Sequence, residues 1–132
     1  MIEMNVDFPG GMLVTAHLSG HDIPTDQPVQ SGGQASAPTP FMLFLASLGA
    51  CAGYYVLSFC KQRDLPTEGI RIVQRMENDP ISHMISRVEI EIQLPAEFPA
   101  KYRSAVIRAA EQCTVKKHLE SPPQLTVTTI TV

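Results

Sequence analysis

The sequence predicts an α+β domain, and three observations carry that prediction. Apolar and polar residues tend to alternate on either side of a turn within residues 2–18 and again within residues 70–94, the period of half-buried strands joined as hairpins. Between them lies an uncharged run of helix length, residues 41–60. Beyond the second hairpin the apolar spacing becomes helical, with Phe98, Tyr102, Val106 and Cys113 on one stripe. The predicted order is β-β-(β)-α-β-β-α-(α)-β. At 132 residues the chain is expected to form one domain, residues 1–132.

Each element follows from local signals. Ile2, Met4, Val6 and Phe8 alternate with Glu3, Asn5 and Asp7, and after the Pro9-Gly10-Gly11 turn Met12, Val14, Ala16 and Leu18 resume the pattern. Residues 20–24 suit a short third strand. Residues 27–40, rich in Pro, Gly, Ser and Gln, read as a mobile loop. Thr39 then suits a helix cap and Pro40 a first helical turn. The helix should end near Arg63, where Lys61 and Arg63 complement its negative end. Residues 70–77 and 84–94 form the clearest hairpin, turning at Asn78-Asp79-Pro80. A helix follows Pro99, and Thr114 is placed as the cap of a short helix over residues 115–119. The Thr- and Val-rich residues 125–132 read as a final strand.

Composition excludes several classes of function. Net charge is −3, with 10 basic against 13 acidic residues, so the clustered Lys and Arg that bind phosphates are missing and no nucleic-acid partner is expected. The run at residues 41–60 is long enough to span a membrane. It is nevertheless diluted by Ser47, Ser58, Gly49, Gly53, Tyr54 and Tyr55, and the flanking apolar faces need a central partner. A buried core helix without a membrane is the expected reading, with Gly49 and Gly53 allowing close approach to a second copy. The N-terminus has no basic stretch followed by an apolar core, so no signal peptide is expected. Three cysteines do not make a secreted disulfide framework, and a reducing cytoplasmic setting follows.

The chemistry-bearing residues are few. Cys51 and Cys60 lie on opposite sides of one helix, about 13 Å apart along its axis, too far for a disulfide. Cys60 reads as apolar filler. Cys51 and Cys113 each sit on a helical face directed at the same core, and by spacing alone they are two core thiols. No CxxC, Gly-rich phosphate loop, GxSxG, HExxH or zinc-ligand spacing occurs, so neither cofactor nor metal is expected.

Several motifs together resemble the OsmC/Ohr family, and its OsmC-like branch in particular. They are Gly20-His21-Asp22-Ile23, Asp26-x-Pro28, Gly32-Gly33, Pro38-x-Pro40, the run LFLASLGACAGYYV, and Ala110-Glu111-Gln112-Cys113-Thr114-Val115. The resemblance implies antiparallel sheets wrapped around long central helices of an intertwined homodimer. It also implies a thiol-dependent peroxidase of the oxidative-stress response, acting on organic hydroperoxides. By motif, Cys51 matches the peroxidatic cysteine, which forms a sulfenic acid. Cys113 matches the resolving one, which closes a disulfide, and an external dithiol reductant (lipoyl-type in the family) resets the pair. An apolar pocket of Phe41, Phe44, Leu45, Tyr54 and Tyr55 would favour a small apolar hydroperoxide.

The chain departs from the hydroperoxide reductases where their thiolate is held by an arginine and a glutamate. No arginine precedes Arg63, and the position ten before Cys51 is Phe41. His17, His21, Arg71, Arg75 and Arg87 are the candidate substitutes. The departure keeps a second reading open, a non-catalytic ligand-binding dimer with an apolar pocket and unactivated thiols. A Cys/His metal site is a weaker third, unsupported by spacing.

Overall fold

The computed structural model describes all residues, 1–132, and the chain divides into two compact units, Met1–Ala46 and Ser47–Val132.

The first unit holds a three-stranded antiparallel sheet, β1 (Asn5–Gly10), β2 (Leu13–Leu18) and β3 (His21–Thr25), in that order across the sheet. Val6 pairs with Ala16, and Ala16 with Ile23. The Gly10-Gly11 turn needs glycine, since both residues take positive φ (+151° and +56°). Beyond β3, the residues expected to be a mobile loop have a defined path, which is a correction. Their organiser is Asp26, only 2% exposed. Its carboxylate accepts from the backbone N–H groups of Gln27 (2.8 Å), Gln34 (3.3 Å) and Ser36 (3.1 Å) and from the Ser36 hydroxyl. These donors push its pKa down to about 2, the Ser36 hydroxyl contributing most. Gly33 is required there because a Cβ would fall on the Gln27 carbonyl.

The helix α1 (Pro40–Gln62) starts as its sequence predicts, with the Thr39 hydroxyl accepting from Met42 N–H at 3.2 Å and Pro40 in the first turn. It ends in a Schellman motif. Asp64 takes the left-handed conformation (φ +52°), and Leu65 N–H reaches back to the Cys60 carbonyl at 2.9 Å. The Arg63 guanidinium lies 3.8 Å from the Phe59 ring centre and donates to the Phe59 carbonyl.

In the second unit, β4 (Arg71–Asn78) and β5 (Ile85–Gln93) form an antiparallel hairpin with Ile72 opposite Ile92 and Met76 opposite Val88. A short 3-10 turn leads into α2 (Arg103–Ala110), and α3 (Thr114–Glu120) follows. The core is built from Val56, Phe59 and Cys60 of α1 with Phe98 and Val106, walled by Ile72, Ile92 and Tyr102. Val106 and Cys60 are fully buried, so Cys60 is the apolar filler that its surroundings suggested.

Two further expectations are corrected. Gly49 and Gly53 face β4 and not a second copy: a Cβ at Gly53 would stand 3.4 Å from Ile72 Cδ1, and one at Gly49 would stand 2.7 Å from Gln74 Oε1. Residues 125–132 form no strand, and Leu125, Val127 and Ile130 are exposed. A strand exists only where another edge accepts its backbone hydrogen bonds, and within one chain no edge is paired with this segment. The α1 helix is long and apolar enough to cross a membrane by length and composition. Its Leu48, Ala52, Val56, Phe59 stripe is buried, as in a core helix.

Candidate active site

The site is assembled where α1 passes the start of α3. Helical spacing puts Leu48, Cys51 and Tyr55 along one edge of α1, beside its buried stripe. Cys51 is partly buried there, and Cys113 is 2% exposed at the other side of the junction. The chain enters α3 through Cys113, whose extended backbone (φ −48°, ψ 121°) makes it the cap residue, one position earlier than the sequence suggests. Its Sγ accepts the Lys116 N–H at 3.4 Å, and its carbonyl accepts the Lys117 N–H at 3.0 Å.

Thus the first N–H groups of α3, which have no partners within the helix, are available to neighbouring sulfur atoms. Burial pushes the Cys51 thiol up. The Val115 N–H, the Cys113 thiol and the Thr114 N–H together outweigh burial, and the net effect holds Cys51 below its ordinary value. Cys113 moves the opposite way. Burial raises it, and the adjoining Cys51 raises it further against the Lys116 N–H. The first proton lost by the pair therefore leaves a thiolate on Cys51, to which the neutral Cys113 thiol donates. The Cys51 and Cys113 thiols lie near enough to shift each other in opposite directions, the juxtaposition that a sulfenic acid followed by a disulfide requires.

None of the causes that shift Cys51 within the chain is a cation. Arg75 is engaged by Glu91 at 3.0 Å and Glu89 at 3.7 Å, and Arg87 by Glu89 at 2.9 Å and Glu77 at 3.8 Å. In the first unit, His17 lies between Asp22 (2.7 Å) and Asp7 (3.0 Å). The groups that matter at the thiol are backbone N–H groups, and their one trace in the sequence is a cysteine directly before a short helix.

Of the expected pocket residues, Tyr55 meets this assembly, its hydroxyl standing 3.0 Å from the Thr114 hydroxyl. Tyr54 is exposed, with its ring edge-on to Tyr55 at 5.1 Å. Phe41 and Phe44 stack at 5.7 Å and are exposed, and Leu45 is half-buried. A cleft of about 670 Å³ lies elsewhere, between Leu48 and Ala52 of α1, Ile90 and Ile92 of β5, and Ile107 and Cys113. None of the five expected residues lines it. Cys113 thus lines the cleft. No cluster of His, Cys, Asp or Glu has the geometry of a metal site.

Solved structures share this architecture. A protein of Psychrobacter arcticus 273-4, described as an osmotic stress induced and detoxification response protein, superposes with a TM-score of 0.69 at 26% identity, over 89% of this chain and 87% of its own. An OsmC-like protein from Mycoplasma pneumoniae superposes with a TM-score of 0.70 at 11% identity, covering 92% of this chain and 89% of its own. An organic hydroperoxide resistance protein from Elizabethkingia anophelis gives 0.62 at 18% identity, over 92% and 89%. The last two likenesses speak for the fold alone. Among curated protein sequences there is no significant match. The family described as OsmC-like protein matches residues 33–128, a span holding α1, the second hairpin and both site cysteines, and the chain therefore belongs to that family.

Proposed function

We propose that the chain is a thiol-dependent reductase of organic hydroperoxides, with Cys51 as nucleophile and Cys113 as resolving thiol. The observation that carries this reading is the placement of the two thiols at the α1–α3 junction, supported by the opposite directions in which they shift each other, Cys51 down and Cys113 up. The Cys51 thiolate attacks the distal peroxide oxygen, and the O–O bond breaks. The alkoxide leaves and takes a proton to become the alcohol, while Cys51 becomes a sulfenic acid. The Cys113 thiol then displaces hydroxide from that sulfur, giving a disulfide and water, and an external dithiol returns both to thiols. The apolar cleft beside Cys113 suits a small apolar hydroperoxide. Some solved structures that share the fold are named organic hydroperoxide resistance proteins. Three free thiols fit a reducing cytoplasmic setting.

The active form in this reading is a homodimer of single-domain chains. Opposite the buried stripe of α1, Ala50, Tyr54 and Leu57 stand exposed at alternating spacings of four and three, the seam that one helix presents to another. The unpaired residues 125–132 supply a second apolar surface that a partner would cover. Light scattering should return twice the 14.5 kDa chain mass at micromolar concentration, and a compact monomer would remove this part of the reading.

The deciding experiment is treatment with stoichiometric cumene hydroperoxide followed by peptide mapping. A Cys51–Cys113 disulfide is expected, absent in Cys51→Ser. In Cys113→Ser, a sulfenic acid that dimedone traps is expected on Cys51. Three thiols that stay reduced would overturn the peroxidase and leave a ligand-binding dimer in its place.

A further inference from the structure

We propose that Tyr55 is a positioning residue of the site, its hydroxyl holding the first turn of α3 over Cys51 by way of the Thr114 hydroxyl. The inference rests on the reading of Cys51 as the nucleophile and adds a residue to its machinery. Tyr55 stands four residues after Cys51, on the same edge of α1 and one helical turn away. Thr114 is the first residue of α3, directly after Cys113. The 3.0 Å bond between the two hydroxyls joins elements 59 residues apart in the chain at the junction where the two sulfurs meet.

Few other contacts fix the register of that junction. The α3 helix has only seven residues, none of them buried. Its remaining side-chain bonds are local: His118 Nδ1 with the Thr114 carbonyl at 2.7 Å, and Lys116 with Glu120 at 3.7 Å. A helix this short does not hold its own position, because its stability comes from tertiary contacts. The Tyr55 hydroxyl is a polar contact from α1 that helps set where the Thr114 and Val115 N–H groups lie. Those two N–H groups lower the Cys51 thiol, and small displacements weaken such interactions steeply. Tyr55 thus acts on the thiolate through Thr114 without touching it, and the apolar role expected for its ring leaves the hydroxyl unexplained.

The test is the pH profile of iodoacetamide alkylation, read separately for Cys51, Cys60 and Cys113 by peptide mass spectrometry on the full reduced chain. Tyr55→Phe removes only the phenolic oxygen. Thr114→Val removes only the threonine hydroxyl and keeps the Thr114 backbone N–H that reaches Cys51. Each single variant should move the Cys51 profile to higher pH and slow its alkylation at neutral pH about fivefold, the equivalent of one ordinary hydrogen bond. The double variant should be no slower than either single one, and Thr114→Ser should restore the wild-type profile. Fully buried Cys60 reports loosening of the fold, and its rate should stay unchanged. A Tyr55→Phe profile for Cys51 that overlays the wild type would overturn the proposal. So would a shift accompanied by faster Cys60 labelling, because that marks a merely structural role. No peroxide enters this assay. A wild-type Cys51 profile at or above that of an ordinary thiol would overturn the activation itself. A lowered wild-type profile without a Tyr55→Phe effect would overturn only the role of Tyr55.

Discussion

Replacing Gly53 by Ala should stabilise the protein, and the reasoning can be worked from the geometry. Glycine inside a helix costs roughly 0.5–1 kcal/mol relative to alanine, largely because it leaves more freedom to the unfolded chain. The new Cβ would stand 3.4 Å from Ile72 Cδ1, an ordinary van der Waals contact, so β4 need not shift. The net gain should be about 1 kcal/mol. With a per-residue unfolding entropy of about 2 cal/mol/K over the whole chain, that raises the melting temperature by about 3–4 °C. Gly49→Ala is the internal control. There the Cβ would stand 2.7 Å from Gln74 Oε1, so the amide must swing away and release its 3.4 Å contact from Nε2 to Met76 Sδ. Most of the helix gain is then cancelled, and the variant should melt within about 1–2 °C of the parent. The assay is thermal and urea unfolding at one fixed protomer concentration, since association would itself move the midpoint. If Gly53→Ala lowered stability, or changed the mass seen by light scattering, the glycine pair would face a second copy and the packing argument against β4 would fail.

Two further outcomes follow from the first unit. Asp26→Ala should open the loop that its carboxylate organises, seen as rapid proteolysis within residues 27–36 at neutral pH. With wild-type protein the same opening should appear only in acid. The folded pKa lies near 2, below the ordinary 3.8, so the carboxylate's contribution is complete above 3.8 and is lost as pH falls toward 2. His17 should behave in the opposite sense. The Asp22 and then the Asp7 hydrogen bonds raise its pKa above 6.5, so the contribution of the imidazolium to the β1–β2–β3 sheet is complete below 6.5. It is lost as pH rises through the folded value. Ring-proton NMR should place the His17 midpoint above 6.5, and His17→Gln should abolish the pH dependence of sheet stability in that range.

The parts of the fold that could be read from the sequence are those set by neighbours in the chain. The alternation of Ile72, Gln74 and Met76 with Arg71, Arg75 and Glu77 specifies which residues share a face of the second hairpin, and the observed pairing of Ile72 with Ile92 and Met76 with Val88 keeps that face, half-buried at the first pair and exposed at the second. Thr39-Pro40 marks the start of α1 because the cap hydroxyl and the N–H that donates to it lie three residues apart. What escaped reading is set by distant partners. Residues 125–132 have every local property of a strand, yet a strand is a relation between two edges and the single chain pairs none with it. Asp26 looks like any loop carboxylate, and its importance comes from N–H groups as far as ten residues away.

The candidate site divides along the same line. Cys51 and Cys113 stand out because a cysteine is a distinct letter, and their two motifs name the family. In the proposed reading, the agent that lowers the Cys51 thiol has no letter, because every residue except proline carries a backbone N–H. A search for arginine, histidine or glutamate near the thiol asks which side chain supplies charge. At this junction the answer is a position: the start of α3 brings orphan donors to the sulfur, as a charge would. Its signature is Cys113 before a short helix, and it gains meaning only when α1 and α3 are known to meet. The side chains that make them meet, Tyr55 and Thr114, would be read from composition as an apolar ring and a helix cap. Loss of the arginine and glutamate seen in hydroperoxide reductases is therefore compatible with a reactive Cys51, because backbone donors at a fixed junction lower a thiol by the same physics as an ion pair.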